Sequence, residues 1–109
     1  MDARTARVRA LNDRLRAGGI GGQVVLSRGV AALPRLALAA VLAAVRAFDG
    51  FGPDDDPRGE HDLGVLEAGG EAVIFEVDCF DLAMQGHSPD PADPRLTRRV
   101  LTIMLAGEY

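Results

Sequence analysis

Gly69-Gly70 stands between two β-prone runs, Leu63 to Ala68 and Glu71 to Phe80. Two glycines in a row accept the positive φ angles that a tight two-residue connection demands, so this stretch predicts a β-hairpin. A hairpin cannot stand alone in water and must bury one face against other elements. Period-two alternation puts Val73, Phe75, Val77 and Cys79 on that buried face with Leu66. His61, Leu63 and Val65 then share the opposite face with Ile74, Glu76 and Asp78. In this register Ala68 faces Glu71, Leu66 faces Val73 and His61 faces Asp78, with opposed Cβ atoms about 4.5–5.5 Å apart.

The rest of the chain supplies elements to cover the hairpin. Residues 3 to 17 read as a helix with Val8, Leu11 and Leu15 on one narrow stripe and Gly18-Gly19 as its stop. Gln23 to Ser27 reads as a short strand. Arg35 to Phe48 is apolar on nearly all sides, which predicts a central buried helix or one that shares a face with a partner. Asp93 as N-cap and Pro94 in the first turn predict a final helix to about Ala106, burying Leu96, Val100, Ile103 and Met104. The expectation is a single α+β domain over residues 1–109. Its order is α-β-α-β-β-α, with a small, mainly antiparallel sheet and a 63–68/71–80 hairpin covered by helices.

Charge is unevenly distributed. Residues 1–46 carry +6, residues 47–93 carry −12 and residues 94–109 carry +2, and all twelve basic residues are arginine. The acidic density peaks in Asp54-Asp55-Asp56-Pro57-Arg58-Gly59-Glu60-His61-Asp62, just before the hairpin. Attraction between the basic front and the acidic middle is the first expectation. Arg95, Arg98 and Arg99, at the unfavourable end of the expected helix dipole, call for those carboxylates. The overall acidity and the lack of a reader motif argue against direct nucleic-acid binding. The longest apolar stretch, Leu36 to Val45, is too short to span a bilayer. With one cysteine, Cys79, no internal disulfide forms, which fits a reducing cytoplasm.

Arg9-Ala10-Leu11-Asn12-Asp13, Phe48-Asp49 with Phe51, Asp54 through Gly64, and Thr97 through Ala106 ending in Glu108-Tyr109 follow in an order that resembles domain-of-unknown-function family 3768. The resemblance implies a stand-alone bacterial cytosolic protein and carries no activity or cofactor with it. The family pattern favours aromatic residues around the second hairpin strand, where this chain has Glu76 and Cys79.

Three chemistries compete for the 54–62 region. In the first, Asp78 orients His61 and the loop carboxylates pair with arginines. Asp54, Asp55, Asp56, Glu60, His61, Asp62, Asp78, Arg98 and Arg99 then form a binding surface for a protein partner beside the last helix. In the second, His61, Asp62 and Asp78 ligate a metal, with Glu60 or His87 as further ligands, in a hydrolase or lyase centred on His61. The spacing does not favour it, and an EF-hand begun at Asp54 puts Arg58 and Val65 at ligand positions. In the third, a His61–Asp78 pair acts as a general base, but no nucleophile accompanies it, since Cys79 alternates into the core. The preferred reading is protein–protein interaction, with no catalytic residue, metal or cofactor assigned. A nucleic-acid-mimicking acidic inhibitor is the remaining alternative. The open hairpin face (Leu63, Val65, Ile74) leaves room for a homodimer.

Overall fold

The computed structural model describes all residues from Met1 to Tyr109. Its elements are α1 (Ala3–Gly18), β1 (Gln23–Leu26), α2 (Arg28–Ala31), α3 (Arg35–Ala47), β2 (Leu63–Ala68), β3 (Glu71–Phe80) and β4 (Arg98–Leu105), closed by a 3-10 turn over Ala106–Glu108. The strands form one mixed sheet in the order β1-β4-β3-β2. β3 pairs antiparallel with β2 and β4, while β1 runs parallel to β4 at the edge. The class is α+β, with the helices collected on one face of the sheet.

The core explains that layering. Leu15 of α1, Val30 of α2 and Val41 and Val45 of α3 pack with Val73, Phe75, Val77, Leu101 and Ile103 in one buried cluster. These strand residues alternate along β3 and β4 and therefore point to one side of the sheet. The other side carries Val25, Val65, Ile74, Glu76, Asp78, Val100, Thr102 and Met104 and no helix. Gly69 and Gly70 both take positive φ, 62° and 78°, as the β2–β3 connection requires. Gly64 has a different duty: a Cβ there would collide with the Phe75 ring, so the missing side chain lets that ring lie flat on β2.

Two expectations are corrected. The closing segment is not a helix. Asp93 does cap, but its carboxylate accepts from Arg95 N–H at 2.9 Å within a single turn, and Leu96 is exposed. From Arg98 the chain extends, with Arg99, Leu101 and Ile103 alternating inward between β1 and β3. β-branched Val100, Thr102 and Ile103 fit a pleated surface, and the central slot of the sheet has no other occupant. Helix α3 is likewise not buried all round. Only Val41 and Val45 are fully buried, and Leu36 is 81% exposed.

Candidate functional site

The acidic loop is anchored to α1, in the basic front of the chain, and not to the arginines of the closing segment. The buried stripe of α1 contains Val8 and Leu15, and also Asn12 and Arg16. Asn12 Nδ2 donates to the Glu60 carbonyl at 2.9 Å, and Arg9 Nε donates to the Gly59 carbonyl at 2.6 Å. Arg16 donates to the Val45 and Arg46 carbonyls, closing the C-terminal end of α3, and ion-pairs with Asp13 at 3.1 Å. Charge complementarity between the front and the middle of the chain is therefore realised largely through backbone carbonyls.

His61 lies at the centre of this anchor. It takes a left-handed φ of 56°, which breaks the strand alternation two residues before β2 begins. Its ring consequently turns away from Asp78. Nδ1 hydrogen-bonds Asp13 Oδ1 at 2.8 Å, the backbone N–H donates to Asp56 Oδ1 at 3.1 Å, and Asp56 Oδ2 lies 3.8 Å from Nε2. One face of the imidazole stacks on Phe51, with centroids 3.8 Å apart and planes 5° from parallel. Phe51 packs edge-on against Phe48 and Phe75, so the ring stack runs into the core. The expected His61–Asp78 pair is replaced by His61–Asp13. The reason is long-range: the α1 carboxylate reaches the ring first once the backbone flips.

The remaining candidates separate into distinct groups. Asp56 is buried, whereas Asp54 and Asp55 are exposed. Arg98 and Arg99 do not reach the loop carboxylates. Arg98 donates to the Leu82 carbonyl. Arg99, 3% exposed, donates to Asn12 Oδ1 at 2.6 Å and to the Pro91 carbonyl. Burial pulls the Arg99 guanidinium below its ordinary range, with Cys79 and Glu60 acting the other way. His61, Asp62 and Asp78 do not converge as metal ligands, and no group of three or more His, Cys, Asp or Glu side chains is placed to hold an ion.

Glu60, Asp62 and Asp78 do come together. They line a small cavity of about 190 Å³ with Val8 and Asn12 of α1, Cys79 and His87, against the first helix. Burial pushes the Cys79 thiol up; Arg99 opposes this, and Glu60, Asp78 and Asp62 reinforce it, so the thiolate is disfavoured. Glu76, two residues before Asp78 on β3, carries this acidic ridge onto the helix-free face. Its carboxyl is pushed up by burial and by Asp78, with a hydrogen bond from Tyr109 working against the rise.

Sequence reasoning missed Asn12, Asp13 and Arg16 as site residues. Asn12 and Arg16, four apart and in line with Val8, were the available signal: polar groups placed on an apolar helical stripe.

A two-layer α+β protein with helices on one sheet face, an acidic ridge leading from the loop at α1 along β3 and a histidine clasp between loop and first helix is the class this architecture defines. Residues 26–108 match the family described as Protein of unknown function (DUF3768), and the chain belongs to that family. No curated protein and no solved structure matches it. No helix is long and apolar enough to cross a membrane.

Proposed function

We propose that this is a bacterial cytosolic protein that acts by binding another protein, with the ridge Glu60–Asp62–Asp78–Glu76 and the adjoining helix-free sheet face as its docking surface. The partner presents arginine or lysine side chains flanked by apolar ones. The observation that carries this reading is the placement of Glu76 and Asp78 side by side on a sheet face that no helix covers. Across the strands Glu76 opposes Leu63 and Thr102 and Asp78 opposes Val100, and the same face continues with Val65, Ile74 and Met104. Burial already disfavours the Glu76 charge in the free protein, and an incoming cation relieves that penalty. Exposed Asp54 and Asp55 add long-range steering from a loop held in place by α1.

A second copy fits this face less well, because two-fold packing would set ridge against ridge, and like charges in contact repel. The alternative of a metal-dependent hydrolase or lyase centred on His61 has less support, since no group of three or more ligating side chains gathers at that residue.

The test compares wild type with Glu76→Lys/Asp78→Lys in affinity capture from host extract, after showing that both melt cooperatively. Basic proteins retained by wild type, released by salt and absent from the variant are expected. Equal recovery of the same proteins by both, at every salt concentration, would remove the ridge as a docking surface.

A further inference from the structure

On the opposite side of the sheet, the helix layer does not close. The C-terminal ends of α1 and α3 diverge above β1 and leave a cavity of about 360 Å³ floored by the inner face of the sheet. That volume falls within the range of small-molecule pockets. Its walls are mainly apolar, with Leu15 from α1, Val24 from β1 and Leu101 and Ile103 from β4. No carboxylate lines it, although the protein carries more acidic than basic residues.

Arg16 and Arg46 are among its lining residues. Arg46, exposed in the last turn of α3, makes no ion pair. Arg16 is only 7% exposed, and its Nε–H is buried without any hydrogen-bond partner. The terminal nitrogens of Arg16 are committed to α3 carbonyls and Asp13, and its guanidinium lies 5.4 and 5.9 Å from the Phe51 and Phe75 ring centroids, so Arg46 is the cation of this lining that stands free for a ligand.

We propose that this cavity binds a small amphipathic carboxylate. Its apolar part lies against Leu15, Val24, Leu101 and Ile103, and its acid group meets Arg46. The site shares no lining residue with the acidic ridge, so it stands or falls independently of the docking surface.

Titration of the isotope-labelled full chain with octanoate, octanol and octylamine, followed by amide chemical shifts, tests it. Octanoate is expected to shift Leu15, Val24 and Leu101 saturably and to bind at least about tenfold more tightly than octanol. Arg46→Glu, at an exposed position, should weaken octanoate by about the same factor without altering the melting temperature. Val24→Phe should fill the cavity and abolish binding. Three results would each overturn the site: no saturable shift at these residues, octanol or octylamine binding as tightly as octanoate, or both variants binding like wild type.

Discussion

His61 holds a backbone conformation that ordinary side chains avoid, at a penalty of roughly 1–2 kcal/mol relative to glycine. The structure places it there with φ of 56° because its ring gains the Asp13 hydrogen bond and the Phe51 stack. His61→Ala gives up both contacts and keeps the strain. The expected loss is about 1–3 kcal/mol, from a hydrogen bond of about 1 and an aromatic contact of about 0.5–1.5. His61→Gly gives up the same contacts but relieves the strain, so it should be the more stable variant by about 1 kcal/mol. Urea unfolding of the two variants decides; an alanine variant as stable as the glycine one would mean that the left-handed backbone does not persist. The same residue shows why the site was poorly legible. That a histidine beside the hairpin would need a carboxylate partner could be read, but Asp78 was chosen by extending strand alternation past Leu63. Neither the flip at His61 nor the approach of Asp13, forty-eight residues earlier, leaves a local trace.

Among the elements, β4 separates what could be read from what could not. The two strands around Gly69-Gly70 are visible because turn chemistry and alternation agree there. In Arg98–Leu105 two periods coexist. Val100, Ile103 and Met104 suit a helix, while Leu101 and Ile103 suit one face of a strand, and only the empty slot between β1 and β3 selects the strand. Alanine replacements along β4 should therefore show a period of two. Leu101 and Ile103 are expected to cost about 2–5 kcal/mol each, with Val100 and Thr102 well below that; large losses spaced three or four apart would contradict the strand. On β3, the raised carboxyl of Glu76 makes a signed prediction. The native state binds that proton more tightly than the unfolded chain, so stability falls as pH rises from the ordinary value of 4.5 through the folded one. Above that window the penalty is complete. Glu76→Gln should raise the urea midpoint at neutral pH and flatten its decline from acid to neutral; a variant less stable than wild type at pH 7 would reverse the assignment.

For the molecule as a whole, the segment that matches the family leaves out part of the packed core. The match begins at residue 26, after α1 and most of β1. Yet α1 contributes Val8 and Leu15 to the interior at 1% and 0% exposure. It also supplies Asn12, which bridges the Glu60 carbonyl and the buried Arg99, and Asp13, which holds His61. Without it, Arg99 would keep only the Pro91 carbonyl as a partner, in a site where an unpaired charge is expensive. The inner sheet face and the inward side of α3 would also lie open, in a protein whose total stability is only about 5–15 kcal/mol. Deleting residues 1–19 should accordingly remove the cooperative thermal transition and leave a compact, dye-binding state with strand signal in the far ultraviolet. The anchoring by α1 also couples the two faces of the sheet. Glu60, at the head of the acidic ridge, is held by the same asparagine that satisfies Arg99, so Asn12→Ala should loosen the ridge as well as the core. Calorimetry on the truncated chain gives the sharpest check: a single two-state transition at the full-length temperature would show that α1 is an appendage and that the loop, the ridge and the buried arginine find their places without it.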